Sequence, residues 1–137
     1  MKISPYLMFS GNCTEAIKFY EGAFGVKAEF CHYKDAPPAE GYQPPPGTED
    51  FIMHGTLSIC NDTIYLADTT PDHQTSFGNG VSICVEFDDA DGVRAAFEGL
   101  KEGAKVLMEP QECFWSKCFC QLEAKFGVSW TIQVVMG

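Results

Sequence analysis

The sequence predicts an α+β protein made of two tandem βαβββ modules, and three observations predict it. The order strand, helix, strand, strand, strand is written twice along 137 residues. The two helices end on related phrases, "FYEGAFG" at 19–25 and "AFEGLKEG" at 96–103. The final strand alternates, with Val128, Trp130, Ile132 and Val134 apolar and Ser129, Thr131 and Gln133 polar. Period-two alternation marks a strand with one face on a core and the other facing something wetter. An internal repeat sets the architecture before any single motif is weighed.

In the first module, residues 1–70, "ISPYLMF" reads as the opening strand. Asn12 is placed to cap a helix, with Glu15 three residues on as its capping-box partner. Cys13, Ala16, Ile17, Tyr20, Ala23 and Phe24 form the apolar stripe of that helix, and Gly25 stops it. "VKAEFCHY" is the second strand. A proline-rich loop over 35–49 follows, whose five prolines deny it ladder hydrogen bonds. "FIMHGTLSIC", a turn at Asn61-Asp62 and "TIYLAD" make a hairpin.

The second module, residues 79–137, begins with "GVSICVEF", after which Asp88 or Asp89 can cap a helix. Ala90, Val93, Phe97 and Leu100 face inward on it, and Gly103 ends it. "AKVLMEP", a loop holding Phe114 and Trp115, "SKCFCQLEA", a turn at Gly127 and "VSWTIQVV" complete the repeat. A chain of this length forms a single domain, 1–137, and buries roughly two thirds of its unfolded surface.

The net charge of −10, with Arg94 the only arginine, excludes a phosphate-tracking surface. No nucleic-acid partner and no anionic-membrane partner are expected. Apolar runs are too short to span a bilayer, and "MKISPYLMF" is too short for a signal sequence. Seven cysteines without metal spacing read as reduced thiols in a cytoplasmic protein. Cys118 and Cys120 share one strand face with Leu122 and read as small core residues. The chain has no glycine-rich strand-to-helix turn for a nucleotide-like cofactor, so no cofactor is expected.

The phrases "YLMFSGNCTEAIKFYEGAFG", "MHGTLSICNDTIYLAD" and "FWSKCFCQLEAKFGVSWTIQV" carry a resemblance. With the doubled module they are similar to the vicinal-oxygen-chelate superfamily of glyoxalases, extradiol dioxygenases and antibiotic-resistance proteins. Within it they resemble the PhnB-like branch, also labelled demethylubiquinone methyltransferase-like. The resemblance implies a curved, glyoxalase-like sheet around a concave cavity, and a homodimer. In metal-bearing relatives each half supplies one ligand from its first strand and one from its last. Aligning the halves by the helix phrase and the last turn, at offsets of 77 and 65 residues, puts these positions at Pro5, Leu66, Ser82 and Thr131. Proline and leucine bind no metal and lone hydroxyls are poor ligands for a transition ion. No metal is expected there.

If Thr131 faces the cavity, strand parity brings in Ser129 and Gln133, then Ser82, Cys84 and Glu86. It also brings His54, Thr56 and Ser58, Phe119 and Gln121, Ile64, Leu66 and Asp68, and Leu7 and Phe9. The expected ligand contacts are His54, Thr56, Asp68, Ser82, Glu86, Trp115, Phe119, Gln121 and Thr131. His54 and Asp68 are the catalytic candidates, as an oriented general base or, with Glu86, as an unconventional metal site. Cys84 is a candidate thiol. Three readings follow: a small-molecule-binding protein for a partly apolar ligand, a lyase or isomerase working through His54, and a dimeric interaction scaffold.

Overall fold

Eight strands and two helices appear in the expected order in the computed structural model, which describes residues 1–35 and 45–135. Most of the proline-rich loop, 36–44, lies outside the described residues. The first half runs β1 (Tyr6–Phe9), α1 (Cys13–Phe24), β2 (Ala28–His32), β3 (Ile52–Ile59) and β4 (Asp62–Asp68). The second runs β5 (Ile83–Phe87), α2 (Ala90–Leu100), β6 (Lys105–Cys113), β7 (Ser116–Glu123) and β8 (Ser129–Val134).

Each half makes its own open sheet with the same strand order, β1-β4-β3-β2 and β5-β8-β7-β6. The first strand of each pairs parallel with the fourth, and the other pairings are antiparallel. The repeat seen in the sequence is therefore a repeat of topology. By compactness the chain divides into two units, Met1–Lys18 with Val26–Ser76, and Phe19–Gly25 with Phe77–Gly137.

Local chemistry accounts for the element ends. Asp89 caps α2, its side chain accepting the Gly92 N–H at 2.9 Å. Cys60 and Asn61 both take positive φ, 54° and 69°, which is the two-residue turn that matches strand twist. Asp62 already belongs to β4, so the turn sits one residue earlier than the Asn61-Asp62 expectation. The β7–β8 turn is longer, with Phe126 and Gly127 at positive φ between the paired ends Ala124 and Val128.

The core of the second unit is built on the apolar face of β8. Trp130 is 1% exposed, and α2 packs on β8 and β7 through Val93, Ala96, Phe97 and Leu100. Tyr20 and Phe24 from the end of α1 set their rings 5.3 and 5.2 Å from that of Trp130. Gly99 lets α2 approach Ala23 closely, since a Cβ there would lie 2.6 Å from the Ala23 Cα. Truncating Trp130 to alanine is expected to cost about 3–5 kcal/mol in denaturant unfolding. Trp130→Phe should cost less, because it removes an indole N–H that finds no hydrogen-bond partner among the described residues.

Candidate functional site

The polar face of the second sheet gathers most of the expected contacts. Cys84 pairs with Thr131, and Thr131 with Gln121; Glu86 pairs with Gln133, and Gln133 with Phe119. Paired residues share a face, so these side chains form two rungs across three strands. The Ser82 and Thr131 hydroxyls lie 2.7 Å apart, and the Gln121 amide donates to Thr131 Oγ1 at 3.2 Å. The Gln133 amide donates to Glu86 Oε2 at 2.8 Å. Side-chain amides and hydroxyls that bind one another in this way are held in fixed directions.

One end of this strip is aromatic. Trp115 lies in the β6–β7 turn, its ring edge-on to Phe119 at 5.2 Å and 81°. Phe119 is only 7% exposed, although it lies on the polar face. Beside Trp115 opens a hollow of about 370 Å³ whose walls include Asp88, Glu112, Lys117 and Val135. Lys117 and Asp88 extend the parity of Phe119 and Glu86 and were not anticipated. Ser82, Glu86, Trp115, Phe119, Gln121 and Thr131 thus sit on one continuous surface.

The first sheet corrects part of the sequence reading. His54 is exposed, its ring 6.3 Å from Tyr6 and 5.5 Å from Tyr65. Thr56 pairs directly with Tyr65, and Tyr6 pairs with Tyr65 from the other side. The open face therefore carries His54, Thr56, Tyr65 and Tyr6. Leu7, Phe9, Ile64 and Leu66 do not join it; they are buried on the opposite face. Asp68 pairs with Phe9 and goes with them.

The slip has a physical cause. Three residues separate β1 from α1, but two separate β5 from α2. The β3–β4 turn has two residues, while the β7–β8 turn has one more. Matching by strand pairing, Cys84 answers to Tyr6 and Thr131 to Tyr65, at offsets of 78 and 66. One residue of error flips every side chain to the other face of the sheet. On this register the four chelating positions become Ser4, Tyr65, Ser82 and Thr131. All four carry hydroxyls. Among the described residues no group of three His, Cys, Asp or Glu side chains is placed to hold a metal.

Asp68 has a different role. It is 3% exposed, and its carboxylate accepts the N–H groups of Gly11 at 2.9 Å, Cys13 at 3.0 Å and Ile52 at 3.0 Å. Burial pushes its pKa up, against the pull of those three donors. It cannot orient His54, which stands on the other side of the sheet. The candidate thiol Cys84 is not activated either, nor are Cys13 and Cys120. Burial and the Glu86 charge raise Cys84, burial pushes Cys120 up to about 11, and burial with the Asp68 charge raises Cys13 further.

Comparison with known proteins agrees with this architecture. Residues 1–134 match the model of the family 3-demethylubiquinone-9 3-methyltransferase. The chain belongs to that PhnB-like family and has the fold of the glyoxalase/bleomycin resistance/dioxygenase superfamily. This PhnB-like chain is 30% identical to Protein YjdN of Escherichia coli K12, over 98% of its own length and 96% of the relative's. It is similar to the crystal structure of PA1353 from Pseudomonas aeruginosa, with 30% identity, a TM-score of 0.85, and coverage of 98% and 97% of the two chains. The structure titled a putative 3-demethylubiquinone-9 3-methyltransferase, PhnB protein, from Bacillus cereus matches at 27% identity and a TM-score of 0.76, covering 98% and 100%. A superfamily member from Sphaerobacter thermophilus shares the fold at 15% identity and a TM-score of 0.59, covering 98% of each chain.

In this PhnB-like chain Asp68→Asn tests the staple role. The amide keeps an oxygen for Gly11 and Cys13 but turns an NH₂ toward the Ile52 N–H. The expected loss is about 1–3 kcal/mol in urea unfolding. A variant as stable as wild type would show that Asp68 is not the staple described.

Proposed function

We propose that the protein binds a small, partly apolar molecule on the polar face of its second module, without a metal ion. The observation that carries this reading is the juxtaposition of the Ser82–Thr131–Gln121 network with the Phe119–Trp115 pair. Oriented hydrogen-bonding groups beside an aromatic wall are the usual composition of a small-molecule site. The glyoxalase-like fold supports small-molecule binding at this general level. A chain at −10 with no arginine near the strip repels anions, so neutral or cationic aromatics are the favoured class.

The hydroxyl-only donor set favours metal-free binding over the chelate chemistry of metal-bearing relatives. Elemental analysis of the purified protein is expected to find no stoichiometric zinc, nickel, manganese or iron. About one such ion per chain would contradict the proposal. A lyase or isomerase working through His54 loses its oriented base, because the Asp68 carboxylate is committed to three backbone donors on the opposite face. The chain is further proposed to form a homodimer. Support comes from the open sheets and from β6, a nine-residue edge strand with Val106 and Leu107 exposed. Sedimentation should show a dimer at micromolar concentration, and a monomer would contradict it.

The site itself is tested through the two tryptophans. A ligand at a hundred times its dissociation constant should stabilise the protein by about 2.7 kcal/mol in a thermal screen. It should also quench fluorescence. That quenching should disappear in Trp115→Phe and persist in Trp130→Phe. The reverse pattern would place the ligand elsewhere.

A further inference from the structure

The repeat places a hollow at the same end of both sheets. In the second module the 370 Å³ hollow borders Val134 and Val135, where β8 ends. In the first, a hollow of about 530 Å³ borders Asp68 and Thr69, where β4 ends. These residue pairs correspond at the offset of 66 given by strand pairing. Both linings carry aromatic rings, Phe114 and Trp115 in the second and Tyr6 and Tyr33 in the first, but they differ in charge. The second carries Asp88, Glu112 and Lys117, whereas the first is walled by Tyr6, Tyr33, Met8 and Met53 with His73 at one side.

We propose that the first-module hollow is a second small-molecule site, one that takes a flat, uncharged aromatic molecule bearing a hydrogen-bonding group. Two phenol rings and two thioethers offer polarisable walls, and sulfur–aromatic contacts favour a π-faced guest over an aliphatic one. Among the described lining residues no free carboxylate competes for a cation. The Asp68 carboxylate accepts three backbone N–H groups, and the Tyr33 hydroxyl donates to the Asp68 backbone carbonyl at 3.3 Å. Thr69, Thr70 and His73 give the rim its polar groups.

The hollow is built before any guest arrives. Its rim is pinned by the Thr69 N–H donating to the Phe9 carbonyl at 2.8 Å and the Thr69 hydroxyl donating to the His73 carbonyl at 2.7 Å. The Thr75 hydroxyl donates to the Met8 carbonyl at 2.8 Å, tying the following segment to β1. Tyr6 is held in turn by its ring contact with Tyr65, 5.7 Å between centroids. A site whose walls are already ordered gives up little freedom on binding.

The test uses protein labelled with ¹³C at the methionine methyl groups and titrated with 2-naphthol. Met8 and Met53 line the first hollow, while Met108 pairs with Gln121 on the second-module strip, so the same spectrum separates this site from the one proposed above. Met8→Leu and Met53→Leu assign the signals. The expected result is saturable movement of the Met8 and Met53 signals with one shared dissociation constant. Binding should weaken by about tenfold or more in Tyr6→Ala and be retained in Tyr6→Phe. Naphthalene-2-sulfonate should bind about tenfold more weakly than 2-naphthol, because the chain repels anions. Met8 and Met53 signals that stay still, movement of Met108 alone, equal binding by Tyr6→Ala, or equal binding of the sulfonate would each overturn the proposal.

Discussion

Both modules depend on one buried polar staple at the same junction, where the last strand ends against the start of the third. In the first module the staple is Asp68, which reaches from the end of β4 to the Ile52 N–H and to the loop that starts α1. In the second it is Ser116, which reaches in the opposite direction. Its hydroxyl, 7% exposed, accepts the Val134 N–H at 3.1 Å and lies 3.0 Å from the Val134 carbonyl that it donates to. Buried backbone groups must be paired, and a junction between parallel and antiparallel ladders leaves some without strand partners. The two solutions use different residues from different strands. What is shared is the requirement.

The staple also separates structure from function in the first module. A buried carboxylate near a histidine invites a catalytic reading, and that reading fails on the direction of the side chain alone. The acid serves three backbone donors on the packed face, and the histidine stands among tyrosines on the open face. Raised thiols at Cys13, Cys84 and Cys120 point the same way, away from nucleophilic chemistry. What is left on the open faces is suited to holding molecules: hydroxyls, amides and aromatic rings, differently mixed in the two modules.

Much of this was legible in the sequence. The repeat, the strand and helix order, and the facing of β8 could be read because apolar alternation records burial directly. Trp130 in the core and Thr131 on the strip follow from that alternation alone. The partners of Thr131 in β5 and β7 followed too, since Ser82, Glu86, Phe119 and Gln121 keep their phase. Tyr6 and Tyr65 were missed, and Asp68 was misplaced, because the end of β4 is buried on both faces and alternates poorly: Leu66, Ala67 and Asp68 are all shielded. With no alternation to fix the phase, it was borrowed from the second module, and turns one residue longer or shorter shifted it. The hollows at the sheet ends have no sequence signature at all, because they arise where strands stop.

The seating of a ligand on the second-module strip is tested most directly by the side-chain amide signals of the glutamines, recorded with the compound that most raises the melting temperature. Gln121 and Gln133 donate their amide hydrogens to Thr131 and Glu86 within the strip, whereas Gln74 donates to the Pro71 carbonyl outside it. The NH₂ signals of Gln121 and Gln133 are expected to move on saturation while that of Gln74 holds its position. Signals from Gln121 and Gln133 that stay unmoved at saturation would contradict that seating.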